Sequence, residues 1–259
     1  AKMANWQEGN QVGYQVRFEK NYCDKTEIIY ATDGIVLNKL LNDEALGEVE
    51  VLILDEFHER SAQLDLCLAL ALKLWKSNRR KLRLVVTSAT LDIDALAGYM
   101  PDSAQVELSG RSHPVEIQYR KPPKDYPAWR SVVEILPAIL KEMDGDILVF
   151  MDGAYEISHA VNSILSNSWS KSLEVKSLYG DLSPEQQDLA LLGTEKRKVI
   201  VSTNIAETSL TIEGIKIVID TGRAKKMRYD SVRGINALLS EPISKSSAEQ
   251  RAGRAGRLG

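Results

Sequence analysis

The stretch VLILDEFHER, positions 51–60, constrains this chain more than any other. Four apolar residues in a row read as a buried strand of a parallel sheet, covered on both faces. The run ends in two carboxylates, Asp55 and Glu56, with His58 two places further on. Open α/β sheets present their ligand chemistry at the carboxyl ends of the strands. An acidic pair there is a place for a divalent cation and an activated water. Asp55 and Glu56 are thus the candidate metal residues. Asp55 holds the ion, usually through water, and Glu56 orients or deprotonates the attacking water. Taken alone, the stretch fits a plainer reading equally well: a strand closing on an exposed polar turn.

The same design recurs along the first half. VGYQVRFE and TEIIYAT read as strands. TDGIVLNKLL places a turn at Asp33-Gly34 before a helix with Ile35, Leu37, Leu40 and Leu41 on one face. A helix start after such a turn either binds a phosphate through its free N–H groups or is an ordinary capped helix. Residues 61–75 form a helix that is apolar nearly all round, which predicts packing between layers with Cys67 in the core. KLRLVVTSAT repeats the buried strand and ends in Thr87, Ser88 and Thr90. Hydroxyls there bond a neighbouring carboxylate or backbone, or Thr90 or Asp92 caps the next helix. LDIDALAGYM then reads as a short helix and AQVELSG as another strand.

Prolines and charges between 110 and 127 interrupt the rhythm and mark a boundary. Alternation then resumes. Residues 128–143 form a helix with Pro137 inside, so a kink is expected. DILVFM is a strand, followed by Gly153 and a helix over 154–165. SPEQQDLALL carries a capping box, with Ser183 as cap, Pro184 first and Gln186 at the third position. Strands at 198–202 and 216–220 flank a polar loop, and the residues after them read as a β-hairpin turning at Arg233-Gly234. The reading is an α/β chain of two mainly parallel domains, 1–112 and 113–259.

Composition removes several alternatives. At 44% apolar and 27% charged, 259 residues make a globular chain, not a disordered one. A net charge of −3 confines any nucleic-acid surface to a local patch, for which the basic stretch 223–233 is the candidate. Two cysteines and the scattered His58, His113 and His159 give no disulfide framework and no zinc spacing. No run reaches the ~18 apolar residues of a membrane span, and no leader opens these residues, so a cytoplasmic location is expected.

DEFH, SAT, STNIAETSLTI and QRAGRAGR occur in that order at domain-scale spacing. Together they resemble the DEAH/RHA group of superfamily 2 helicases. GYQVRFE, TDGIVL, LVFMDGAYEI, LYGDLSPEQQ and PISKSSAEQ extend the resemblance over essentially the whole chain. Phe57, where most of the group has alanine, resembles the bacterial HrpB branch. The resemblance implies two RecA-like domains, the first truncated at its N-terminus. It implies ATP hydrolysis with Mg2+ in the cleft between them, and RNA, or single-stranded DNA, held across the top. By the same resemblance His58 links the acidic site to the second domain. Ser88 and Thr90 couple the nucleotide site to nucleic-acid binding. Thr32, Asp33, Gly34, Gly153, Thr203 and Asn204 fall at positions that contact the nucleic-acid backbone. Gln250, Arg254 and Arg257 match the second domain's contribution to the phosphates. Glu213 stands where the group usually has Asp near the nucleotide sugar, and its longer side chain departs from that pattern.

Physical spacing runs alongside the resemblance. Arg251, Arg254 and Arg257 lie about one helical turn apart, so neighbours share a face. An arginine supplied across an interface stabilises phosphoryl transfer; a bare basic helix is the plainer reading. Arg254 and Arg257 are expected to face the phosphates from an open cleft, with little effect on folding, and Arg251 to face RNA or its own domain. One absence stands out. Phosphate cradling needs G-x-x-x-x-G-K-[ST], and no Gly-Lys dipeptide occurs in the chain. The expectation is a motor-core fragment beginning downstream of that loop and inactive by itself. The alternative is a nucleic-acid-binding scaffold without turnover.

Overall fold

The structure, a computed structural model, describes residues 6–42, 49–77, 82–89, 96, 98–107, 113–122, 126–193, 195–207 and 212–256. The chain divides into two compact units, residues 1–105 and 106–259.

In the first unit, β1 (Val12–Val16) runs antiparallel to β2 (Glu19–Asn21) and parallel to β3 (Ile28–Ala31). VGYQVRFE is therefore not one strand: it folds back at Arg17-Phe18. Gly13 permits the fold, because a Cβ there would run into the Asn21 carbonyl oxygen. Next come α1 (Asp33–Leu41), β4 (Val51–Leu54), α2 (Ala62–Lys76) and β5 (Arg83–Val86), with β4 and β5 parallel. Ser61 caps α2 by accepting from the Leu64 N–H at 2.9 Å.

Cover in this unit also differs from expectation. Strand β4 is not covered on both faces: Leu52 and Leu54 are buried, while Val51 is 43% and Ile53 58% exposed. Helix α2 is not sandwiched either. Its buried residues, Leu64, Cys67, Leu68 and Ala71, form one stripe, and Leu66 on the other side is 51% exposed. Both follow from one cause: the buried core of this unit gathers on one side of β4, with Leu40 of α1 and Phe57 closing it. Residues 104–107 form no strand and are exposed, since no partner ladder satisfies them. Most of the LDIDALAGYM helix, with Thr90 and Asp92, lies outside the described residues.

The second unit is more regular. α3 (Ala128–Glu142) precedes β6 (Asp146–Phe150), α4 (Ala154–Leu165), β7 (Leu173–Leu178) and α5 (Pro184–Leu191). Then follow β8 (Arg197–Ser202), β9 (Ile215–Asp220), the hairpin β10 (Arg223–Asp230) and β11 (Ile235–Pro242), and α6 (Lys245–Gly253). The sheet order is β7-β8-β6-β9, all parallel. Here the apolar runs are covered on both faces. Ile147 and Val149 face α3 and α4, while Leu148 and Phe150 face Ala190, Ala206 and Ile212. Residues 147–151 are all 0% exposed, the burial a parallel central strand requires. The capping box on α5 is present in full, helix α3 continues through Pro137 to Glu142, and Gly234 closes the hairpin turn at φ +66°. No helix among the described residues is long and apolar enough to cross a membrane.

Candidate functional site

In the first unit the acidic pair sits at the carboxyl end of β4, beside the end of β5. Thr87 donates its hydroxyl to Asp55 Oδ1, and the Glu56 N–H donates to the same oxygen at 3.0 Å. Asp55 Oδ2 takes no hydrogen bond among the described residues. The Thr87 carbonyl accepts the Phe57 N–H at 3.0 Å, and the Thr87 N–H reaches the Leu54 carbonyl at 3.0 Å. These bonds turn the chain sharply into a 3-10 turn, Phe57–Glu59. Glu56, the pivot, takes a left-handed conformation at φ 50°, ψ 39°. For a non-glycine residue that costs about 1–2 kcal/mol. Phe57, 2% exposed, is the anchor that holds the turn against this strain.

His58 completes the constellation. Its side chain is 6% exposed. Nδ1 accepts from the Ala89 N–H at 3.3 Å and lies 3.4 Å from Ser88 Oγ. An accepting Nδ1 assigns the ring proton to Nε2. Nε2 lies 3.4 Å from Glu56 Oε2, without hydrogen-bond geometry, and is buried with no other partner. The Glu56 side chain is 44% exposed, so one end of the pair is held and the other meets solvent. The donor chemistry fits Mg2+. That ion keeps several waters and needs only one or two carboxylates, and the described residues hold no cluster of three metal-binding side chains.

The Thr32-Asp33-Gly34 turn opens a second feature of this unit. Thr32 precedes α1 without a side-chain cap bond, so the N–H groups of Asp33 and Gly34 lack helical partners. A cavity of about 540 Å3 lies over them, lined also by Arg17, Asn38 and Gln63. The Asp33 carboxylate is occupied, accepting the Ser61 hydroxyl at 3.0 Å.

In the second unit Gly153, Thr203 and Asn204 gather at the carboxyl ends of the parallel strands β6 and β8. Gly153 lies under Lys225 of the hairpin: a Cβ there would come within 2.7 Å of its Nζ. Asp152, 9% exposed, takes the Ser240 hydroxyl and lies 3.5 Å from Arg223 Nε. Asp152 thereby joins the hairpin to the sheet. No local pattern signals this, because the partners are 71 and 88 residues away along the chain. Glu213 lies exposed in the turn before β9, at the amino end of that strand.

Helix α6 carries the arginines. Arg251 is 0% exposed and ties its own unit together: Nε bonds Glu207 at 2.9 Å and Nη1 bonds Asp220 at 2.8 Å. Its guanidinium also lies 4.6 Å from the Phe150 ring centroid. Arg254 is 5% exposed and donates through Nε and Nη2 to the Glu207 carbonyl. The expectation that Arg254 makes few packing contacts is therefore corrected. Glu207, which also accepts the Ser247 hydroxyl, is the hub. Gln250 is half-buried beside them; Arg257 and Thr90 lie outside the described residues.

A strand ending in Asp-Glu, wired through His58 to the Ser-Ala-Thr strand end, joined in one chain to a parallel sheet bearing a basic hairpin, defines a class. The DEAD/DEAH box helicase family matches residues 2–97, and the Helicase conserved C-terminal domain matches residues 130–259. The chain belongs to this helicase family, with RecA-like α/β units. It is 40% identical to the ATP-dependent RNA helicase HrpA of Borreliella burgdorferi over 96% of this chain and 31% of that protein. It is 39% identical to the ATP-dependent RNA helicase HrpB of Escherichia coli over 100% of this chain and 32% of that protein. A crystal structure of the Escherichia coli DEAH/RHA helicase HrpB superposes with a TM-score of 0.89 at 38% identity, covering 99% of this chain and 33% of that one. The chain thus spans about a third of the length of these relatives.

Proposed function

We propose that this chain is the motor core of an ATP-dependent RNA helicase and that Asp55 and Glu56 are its hydrolytic pair. The observation that carries the reading is the strand-end constellation Asp55–Glu56–His58–Ser88. Mg2+, when bound, neutralises charge on the phosphates. Asp55, whose Oδ1 is already taken by Thr87 and the Glu56 N–H, would hold it, directly or through water. Glu56 accepts the proton of the attacking water as general base. His58, with Nε2 3.4 Å from Glu56 Oε2 and Nδ1 3.4 Å from Ser88 Oγ, is placed to link that carboxylate to the β5 end. Thr90, Gln250, Arg254, Arg257 and Glu213 belong to the nucleotide site in this reading. Arg254 reaches a phosphate only by leaving the Glu207 carbonyl.

RNA, with single-stranded DNA as the alternative polymer, is held by its backbone at Thr32, Asp33 and Gly34, and at Gly153, Thr203 and Asn204. The cavity at the start of α1 suits a phosphate, with two free N–H groups and Arg17 beside it. Such contacts position a strand without reading its sequence, and their affinity falls with salt. A cytoplasmic setting suits this substrate.

The test is Glu56→Gln in a polypeptide that joins these residues to a phosphate-binding loop. ATP binding persists and turnover falls ~10²–10⁴-fold, the usual worth of a general base. Near-normal turnover refutes the assignment. The 259 residues alone should turn over little ATP, since they hold no Gly-Lys phosphate loop. A second reading is a nucleic-acid-binding scaffold without turnover; restored turnover on adding the loop excludes it.

A further inference from the structure

Three aromatic rings lie in a row on the second unit. Trp129, in the first turn of α3, packs against the core. His159 of α4 stands 5.6 Å from it between centroids, tilted by 40°. Tyr155, one turn earlier on α4, stands 4.1 Å from His159 at 39°. His159 Nδ1 donates to the Tyr155 carbonyl at 2.9 Å, which fixes the imidazole between its neighbours. The row begins at the core and ends at Tyr155, which is 64% exposed. Folding does not account for that last ring, since Tyr155 joins none of the core clusters.

Charge says what such a ring would meet. The hairpin residues 223–242 carry five basic side chains against two acidic ones, in a chain whose net charge is −3. The hairpin leans on the first turn of α4, where Tyr155 stands. Lys225 Nζ lies 3.3 Å from Glu156 Oε2 and over Gly153. A polyanion following the hairpin past Gly153 reaches the helix turn that carries the exposed ring. Aromatic side chains beside a basic track are how single strands are held without sequence preference, because every base has a π face. The ring is already ordered by its neighbours, so little side-chain freedom is lost on binding.

We infer that Tyr155, backed by His159 and Trp129, is a stacking site for one unpaired base of a single-stranded RNA whose backbone passes Gly153. The inference rests on the reading of the chain as RNA-binding. Its test is fluorescence anisotropy of the full chain with a labelled oligoadenosine, and with copies carrying one abasic position at each site in turn. Tyr155→Ala should weaken binding of the intact strand roughly 5- to 150-fold, the worth of one base–aromatic stack. Tyr155→Phe should stay within about twofold, because the ring remains. One abasic position should weaken wild-type binding and add nothing to Tyr155→Ala. The slope of affinity against salt should be the same for all three proteins, since no phosphate contact is lost. Wild-type binding that Tyr155→Ala leaves unchanged overturns this inference alone and assigns the ring to a protein partner or to none. An abasic penalty that adds fully to Tyr155→Ala also overturns it. Absence of any RNA binding by the wild type overturns the proposed function, and this site with it.

Discussion

Arg251→Ala is the sharpest test of how the second unit is held together. The guanidinium is 0% exposed, so solvent does not screen its interactions. Removing it deletes charge-assisted bonds to Glu207 and Asp220, each worth about 1.5–3 kcal/mol. It also strands two carboxylates. Breaking a buried pair from one side usually costs ~3–5 kcal/mol. Two features place the loss at the lower end. The carboxylates are 13% and 21% exposed, so water reaches them once the cation is gone. Arg251 Nη2 is buried without a partner in the native state, a penalty the variant removes. The expected loss is therefore about 3 kcal/mol, a large share of the ~5–15 kcal/mol that stabilises a domain. Hydrogen exchange read by mass spectrometry on peptides from β6, β8 and β9 measures it. Their slowest amides should exchange on the order of 10²-fold faster than in the wild type. A change below about 1 kcal/mol would mean that the Glu207–Arg251–Asp220 network does not hold the unit.

Arg254→Ala should also destabilise the second unit, by about 1.5–3 kcal/mol for its bonds to the Glu207 carbonyl, read by the same exchange assay; unchanged exchange would show that the side chain is not held there in solution. Ser183→Ala should cost about 1 kcal/mol by removing the α5 cap, seen as faster exchange confined to that helix. Burial pushes the Cys67 thiol up to about 11, with Asp33 adding to the effect, so at pH 8 it holds almost no thiolate and iodoacetamide should label exposed Cys23 first. Labelling of Cys67 should rise only as pH approaches that value, and equal labelling of both thiols at pH 8 would contradict its burial.

Strands β3 to β9, the α5 capping box, the 154–165 helix and the hairpin were legible because each is written in local chemistry, whereas the fold-back at Arg17-Phe18 and the strandless 104–107 were not. A capping box needs only Ser183, Pro184 and Gln186. Cover is not local. VLIL of β4 and ILVF of β6 carry the same apolar pattern, yet Ile53 is 58% exposed and Val149 is 0% exposed. What differs is the layer opposite, which no window of the sequence contains. The acidic site was legible in its residue types and in the hydroxyls at the β5 end. The left-handed turn at Glu56 was not, because glutamate has no preference for it; a buried Phe57 and a carbonyl from Thr87 impose it.

The arginines show where residue spacing stops being informative. An i, i+3 repeat says that Arg251 and Arg254 are neighbours on a helix. It does not say what they face, and both turn to Glu207, more than 40 residues earlier in the chain. One residue therefore organises both: the Glu207 side-chain carboxylate takes Arg251 and its main-chain carbonyl takes Arg254. Glu207 directly follows the short turn Asn204–Ala206, which begins at the proposed RNA-contacting pair Thr203 and Asn204. If RNA binds as proposed, a backbone shift at that turn would move the Glu207 carbonyl, the acceptor that holds Arg254. Thr203→Ala should then alter ATP turnover in a polypeptide with a phosphate loop beyond its effect on RNA affinity. Turnover at saturating RNA identical to wild type would break that link.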